Sequence, residues 1–466
     1  MPMNTLLQRV EGIVDDRVEQ GIFSVHRDAF RDEALFELEM RYIFESTWVF
    51  VGLETQAARP NDYFTSWIGR CPVVVTRDRA GKLHCVINSC SHRGAAVFPN
   101  EQGNKRYHAC PYHGWVYDSG GKCVDIKDEA AGAYSEAFSR MSHDLASVAK
   151  FESYRGFLFA SLSDDVPPLA EHLGDSRVFL DMVADQGPEG VEFIPGAVSF
   201  TYDANWKMQV ENGMDLYHFT STHPSYINIL AERKRARESH ADPAATAAGE
   251  KGSIYEDLAA QKSAARGIFS LDYGHVAYWG DNPKVQARPL YRSFDALCAR
   301  VGPERAQWML RVRNLIVYPN LQIVENASLQ LRTVRPLAVD RTEVRTWCLA
   351  PRGESAEARR ERIRQYEDFY NPSGFATPDD TAAYEACQRG HGARHLNWQQ
   401  GYSRGMLARQ EGGDTYAAAL GIAPRSSVAG SYNLADETAF HAGYREWLRL
   451  MRKGLSGEAA TQEAQA

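Results

Sequence analysis

Two short segments constrain this chain more than any other feature: Cys90-Ser91-His92, and, after 17 intervening residues, Cys110-Pro111-Tyr112-His113. Each offers one thiol and one imidazole. Two loops built this way can set both sulfurs on one side of a bound group and both nitrogens on the other. Gly94 and Gly114 follow the donors closely and permit the tight turns such loops need. After Trp48 the pattern is one of short strands and turns: Val73 to Thr76, a turn over Asp78 to Lys82, Leu83 to Asn88, and a further strand near Tyr154 to Leu162. The segments therefore read as loops of an all-β domain over residues 47–165.

A Rieske [2Fe–2S] centre requires this division of donors, two thiolates on one iron and two imidazoles on the other. Cys90, His92, Cys110 and His113 are the candidate ligands. Neutral imidazoles in place of thiolates reduce the negative charge at the cluster and raise its potential, so it accepts an electron readily from a reductase. A structural zinc site is the alternative, but zinc fingers pair Cys with Cys and His with His, whereas the order here is interleaved. Arg93 and Trp115 also match Rieske loops.

A second set of donors begins at Asn205-Trp206-Lys207 and continues through Glu211-Asn212, Asp215, Tyr217, His218 and His223. On a helix Asp215 and His218 share a face. His223, five residues further on, joins His218 only where the helix loosens, which Thr220, Ser221, Thr222 and Pro224 favour. Two histidines and one carboxylate on one face of an iron leave positions for oxygen and substrate. The acid must come from elsewhere, and Asp379-Asp380 is the expected source. Read alone, His218 and His223 are ordinary half-buried histidines, and the two aspartates cap a helix starting at Thr381. The upstream cluster changes that weighting, since a redox centre needs somewhere to deliver its electron.

The rest of the chain sets limits. At 466 residues it can hold two or three domains. A net charge of −8 argues against nucleic acid as the main partner. The start lacks a signal-like apolar run and no stretch of about 18 apolar residues occurs, so a cytoplasmic protein without membrane spans is expected. Eight thinly spread cysteines suggest metal ligands and buried thiols rather than disulfides. Residues 28–46 read as a helix, and 1–46 as a helical segment packed on the catalytic domain. Leu329, Leu331 and Thr333, and then Val344 to Leu349, alternate like neighbouring antiparallel strands. Ser355 to Tyr370 reads as an amphipathic helix. Residues 239–267 read as a mobile excursion, 166–455 as the catalytic domain, and 456–466 as a disordered polar tail.

These residues make the chain resemble the α subunits of aromatic ring-hydroxylating dioxygenases, of the benzoate and anthranilate 1,2-dioxygenase type. The stretches that carry the resemblance are Cys90 to Gly94, Tyr154 to Leu158, Asn205 to His223 and Gln365 to Phe369. It implies an α+β fold: a Rieske domain beside a catalytic domain whose curved antiparallel sheet grips a long helix. It carries over Cys90, His92, Cys110 and His113 to the cluster, and His218, His223 and Asp380, the second acid of the pair, to mononuclear Fe(II). Asp215 matches a carboxylate that bridges to a Rieske histidine of the neighbouring subunit, because the two centres of one chain are too far apart. Glu211 and Asn212 stand behind the ligands, and Asn205, Trp206 and Lys207 position the helix. Implied partners are a reductase drawing on NAD(P)H, with or without a ferredoxin, small β subunits, and further copies in a homotrimer or α3β3 assembly. The implied reaction is dihydroxylation of an aromatic acid by O2, the electron passing through His113, Asp215 and His218. The competing readings are a monooxygenase, an enzyme for another aryl acid such as an indole-acetic acid, and a bare electron carrier. A carrier would need only roughly 110 residues. For the substrate pocket the sequence suggests walls at 226–230, 316–323 and 369–375. Arg311, Arg313, Arg332 and Arg335 are available cations that read singly as structural.

Overall fold

The computed structural model describes residues 3–239, 263–431 and 436–465. The chain forms two compact units, Met40–Leu169, and Met1–Glu39 together with Ala170–Ala466.

The smaller unit is built from three antiparallel sheets. One has four strands in the order Leu83–Ile87, Cys71–Arg77, Asp62–Ile68, Gln102–Asn104; the others have three each. The strand Cys71–Arg77 explains why its apolar run does not alternate. Val73 and Val75 point to a core with Val49, Phe64 and Leu158, whereas Val74 points to a second core with Val86, Cys90, Cys110 and Trp115. Successive side chains leave a strand on opposite faces, and here both faces are covered. The second core is the floor of the cysteine-bearing loops.

In the larger unit the described residues include a ten-stranded antiparallel sheet. Its centre is a meander of hairpins, Val312–Val317, Leu321–Glu325, Leu329–Ala338 and Arg341–Pro351. Registers put Leu315, Ile323, Leu331 and Trp347 in one cross-strand row. The adjacent positions Asn314, Gln322, Val324 and Arg332 therefore share the other face. That face holds the helix Trp206–Asn212. Asn314 donates to Gly213 O at 2.8 Å, and Gln322 donates to Gln209 O at 2.9 Å and Val210 O at 3.2 Å. These are carbonyls at the end of a helix, where intrahelical partners run out. A Cβ on Gly213 would lie 2.4 Å from the pinned Gln322 amide, so glycine is needed there.

The other end of this helix is fixed as firmly. Asn205 caps it, accepting from Lys207 N at 3.1 Å, and also donates to Val339 O at 2.8 Å. Trp206 and Trp447 donate their indole N–H groups to the fully buried Glu39 at 2.8 and 2.7 Å. Lys207 pairs with the same carboxylate and donates to Ala29 O at 2.7 Å. The first 39 residues are thus joined to the larger unit by a buried charge, and the strand Ile22–His26 adds pairing with Trp398–Gln399.

Several local expectations change. The 28–46 helix is three pieces, Asp28–Arg31, Glu33–Glu39 and a π turn Met40–Phe44. Asp32 is extended and accepts from Leu35 N at 3.0 Å, so a short acid restarts the helix. The N-terminal segment is not only helical, because Val14–Arg17 and Ile22–His26 form a hairpin. The 239–267 excursion lies mainly outside the described residues, but Arg266–Ser270 is a strand inside the sheet. The tail expected to be disordered continues the helix Ala439–Gln465, as its alanine- and glutamate-rich composition allows. The amphipathic helix over 355–370 is present as Ala356–Phe369, capped by Ser355.

Lys207→Met should leave Glu39 buried without its counter-charge and cost about 3–5 kcal/mol. A lowered urea midpoint at unchanged slope would report it.

Candidate iron–sulfur and mononuclear iron sites

The two cysteine-bearing loops have the same backbone plan. Cys90 N–H donates to Ala95 O at 2.9 Å and Cys110 N–H to Trp115 O at 2.7 Å. Gly94 N–H and Gly114 N–H return to Cys90 O and Cys110 O at 2.8 and 3.0 Å. Both glycines have positive φ, +78° and +76°, so each loop turns where only glycine turns freely. Both thiols are buried, and the two imidazoles meet with ring centroids 4.3 Å apart. Trp115 stacks on His92 at 5.0 Å and Tyr112 lies 3.8 Å from His113.

This pocket fits a [2Fe–2S] group. Nδ1 of His92 and of His113 is buried with no hydrogen-bond partner among the described residues, which is costly unless a metal takes it. Desolvation first, then the charges of His92, Arg93 and Lys127, holds His113 below its ordinary value, towards the neutral form that binds metal. Tyr117 Oη lies 3.2 Å from Cys90 Sγ. Burial first, and then Cys90, keeps that phenol well above its usual value, so it stays a donor to the sulfur. All eight cysteines are unpaired.

The second site forms where the chain breaks its helix. The helix Trp206–Asn212 ends at Gly213, and Asp215 sits in the following turn rather than on a helix with His218. Its Oδ1 accepts from Tyr217 N at 2.6 Å and His218 N at 3.3 Å, and its Oδ2 stands 3.0 Å from His218 Nδ1. The short helix Phe219–Thr222 then stops at His223, as the threonines and Pro224 lead one to expect.

Nε2 of His218 and of His223 lie 3.4 and 3.1 Å from Asp380 Oδ1, and the three donor atoms all fall within 4.8 Å of one another. Asn212 Nδ2 touches both His218 Nε2, at 3.3 Å, and Asp380 Oδ1, at 3.2 Å. Burial opposes a charge on His218, but Asp215 and Asp380 outweigh it and push the imidazole up to about 10. Burial likewise opposes charge on Asp380, and the two histidines overcome it and hold the acid well below its usual range. Such a pocket stabilises positive charge between three convergent donors, the condition for a divalent cation with two imidazoles and one carboxylate.

The structure separates the acidic pair. The helix bearing both begins at Thr377, not Thr381, with Pro378 near its start and the acids within the first turn. Asp380 faces the histidines, whereas Asp379 Oδ2 stands 3.3 Å from His223 Nδ1, with Ser225 Oγ at 3.4 Å. Each histidine therefore has an aspartate behind it, Asp215 for His218 and Asp379 for His223. The second of these was not legible in the sequence. Glu211 turns away and accepts from Tyr402 and Tyr444, and burial lifts it to about 7 against those phenols and Lys207.

The three donors open onto a pocket between the sheet and the segment that follows the helix Trp206–Asn212. Its walls differ from those expected. Tyr226, Leu230, Tyr370 and Ala376 pack with Phe219 and Phe369 into a core cluster, and of the 369–375 stretch only Phe369 reaches this cavity. Ile316 and Tyr318 line a different, apolar space behind the helix Trp206–Asn212. Closeness in sequence to a ligand does not fix which way a strand residue points. The observed walls are sheet residues, Val312, Asn314, Val324 and Arg332 among them.

Residues 47–151 match the Rieske [2Fe-2S] domain, and residues 191–417 match the ring hydroxylating alpha subunit (catalytic domain). The chain is 41% identical to the 2-halobenzoate 1,2-dioxygenase large subunit of Burkholderia cepacia, covering 97% of this chain and 94% of that one. It is 40% identical to the toluate 1,2-dioxygenase subunit alpha of Pseudomonas putida (98% and 97% covered). It is 38% identical to the anthranilate 1,2-dioxygenase large subunit of Acinetobacter baylyi (97% and 94% covered). Naphthalene 1,2-dioxygenase from Rhodococcus sp., solved with indole bound, shares the fold with a TM-score of 0.78 at 23% identity, over 96% of this chain and 98% of that one. Fold and sites together define a Rieske non-haem iron oxygenase, an enzyme that uses a [2Fe–2S] cluster and a mononuclear iron. Within that class the chain belongs to the ring-hydroxylating dioxygenase α subunits. Members of the family take electrons from a reductase or ferredoxin and form oligomers. Among the described residues no helix is long and apolar enough to cross a membrane.

Asp379→Ala should weaken iron binding at the mononuclear site about 10- to 100-fold, since an acid behind a ligating histidine fixes its orientation and basicity. Iron titration of the apoprotein reads this, and the cluster's visible spectrum should not change.

Proposed function

We propose that this chain is the terminal oxygenase that adds both atoms of O2 to an aromatic carboxylate, benzoate- or anthranilate-like, giving a cis-dihydrodiol. One observation carries the reading: the His218, His223 and Asp380 donors converge on one pocket that is also lined by sheet residues, Asn314, Val324 and Arg332 among them. The named relatives act on halobenzoate, toluate and anthranilate, all single-ring acids.

Cys90 and Cys110 as thiolates, with His92 and His113 through Nδ1, would hold the cluster. His218 and His223 through Nε2, with Asp380, would hold the mononuclear iron. When bound, the metals supply electron storage and a place for O2 to be reduced beside the ring. The polypeptide does the rest. Asp379 and Asp215 fix the two imidazoles, Asn212 donates to Asp380, and the sheet walls line the space for the ring. In the overall balance the ring takes up O2 with a pair of electrons, from NAD(P)H through a reductase, and a pair of protons. An anthranilate-like product then loses ammonia and carbon dioxide to give a catechol.

Asp215 connects the two centres. Its carboxylate already holds His218 and is only half buried, which leaves it able to meet the partner subunit's His113 in a trimer. Small β subunits complete an α3β3 assembly, and the cytoplasm supplies the reductant.

With a matching reductase, benzoate and labelled O2, both product oxygens should carry the label. Asp215→Ala should keep both metals yet lower turnover at least ~100-fold. A singly labelled product would contradict dioxygenation, and normal turnover in the variant would contradict the Asp215 link.

A further inference from the structure

Several buried cations of the larger unit are matched by acids. Lys207 pairs with Glu39, Arg288 and Arg313 share Glu325, and Arg362 faces Glu354. Matching is expected, because an uncompensated buried charge is strongly destabilising. Arg332 departs from this pattern. It is 9% exposed, its Nε donates to Gln330 Oε1, and its guanidinium lies 5.6 Å from the Tyr370 ring centroid. No carboxylate stands within 4.0 Å of it among the described residues. An amide oxygen and a ring face leave it without a counter-charge.

Its position gives this a meaning. Arg332 pairs across the sheet with Gln322 and lines the cavity that also contains His218, His223 and Asp380. Gln330, which takes the Nε–H, is itself tied to Asn371 at 3.3 Å, and Asn371 accepts from Thr346 Oγ1 at 2.7 Å. The guanidinium is therefore held from behind, and its two Nη groups bond no described residue.

We propose that Arg332 binds the carboxylate of the aromatic substrate and so sets the ring against the His218–His223–Asp380 group. This rests on the aromatic-acid reading above and names the residue that makes it selective. A guanidinium presents parallel N–H donors that match both oxygens of a carboxylate, a match lysine cannot reproduce. The substrate supplies the negative charge that Arg332 lacks in the protein. A neutral arene leaves the guanidinium uncompensated, so the site discriminates by the penalty on the wrong ligand as much as by attraction to the right one. Arg266 also lines the cavity, but its Nη1 is engaged by Tyr278 Oη at 3.4 Å.

The test is calorimetric binding of benzoate and of benzamide to the anaerobic holoenzyme without reductant. Arg332→Gln should weaken benzoate about 100-fold and benzamide by less than about threefold, at unchanged iron and sulfide content. Arg332→Lys, which keeps the charge without the fork, should lose about tenfold for benzoate only, and it carries the test alone if the glutamine variant does not fold. Equal benzoate affinity in the variants, a parallel loss for both ligands, or a carboxylate-selective loss in Arg266→Gln instead would each overturn the assignment. Should the wild-type enzyme bind and oxidise no aryl acid among benzoate, anthranilate and salicylate, the substrate-class reading fails, and the assignment with it.

Discussion

The catalytic half of this enzyme depends on holding one seven-residue helix still. Trp206–Asn212 is too short to be stable alone, since isolated helices below about 12 residues are marginal. Its order comes from outside. At the start, the Asn205 cap, two indole donors and the Lys207 ammonium converge on structure that includes the buried Glu39. At the end, Gln322 and Asn314 of the sheet take the carbonyls that the helix leaves open. Beyond Gly213 the chain unravels in a controlled way. Asp215, His218 and His223 follow on irregular backbone and one short helix, and the two imidazoles converge with Asp380. This is a two-layer design in which rigid elements position donors carried by irregular backbone.

The cluster site solves the same problem differently. Two loops of one plan, each closed by backbone hydrogen bonds onto its own cysteine and turned by a positive-φ glycine, present their donors from a shared apolar core. Trp115 serves twice, closing the second loop through its carbonyl and stacking on the first loop's histidine. The loops need no long-range charge to hold them. The mononuclear site does need it: Asp379 and Asp380 reach the histidines from more than 150 residues away in the chain.

That contrast explains what could be read from the sequence. The candidate cluster donors, their glycines and the all-β setting are local in the chain, and spacing alone points to them. So are His218, His223 and the helix-loosening residues between them. The sheet alternation at Leu329 to Val334 was legible because one face is apolar. Less was visible where partners meet across the fold. Asp379 looked like a helix cap, the wall residues near the ligands turned into core, and Arg332 looked like any structural arginine on a strand. The N-terminal hairpin was missed because Val14–Arg17 carries three charged residues and no alternating apolar face. Its pairing with Ile22–His26, itself joined to a strand about 370 residues later, is tertiary information.

We propose that two unlike iron centres occupy separate parts of one polypeptide, the cluster on Cys90, His92, Cys110 and His113 and a single iron on His218, His223 and Asp380. Metal and sulfide analysis of protein purified without oxygen tests it most directly, with wild type and Asp380→Ala side by side. The expected values are about three irons and two labile sulfides per wild-type chain, with the variant losing one iron and no sulfide. Zinc in place of iron, or sulfide lost together with iron in the variant, would contradict it.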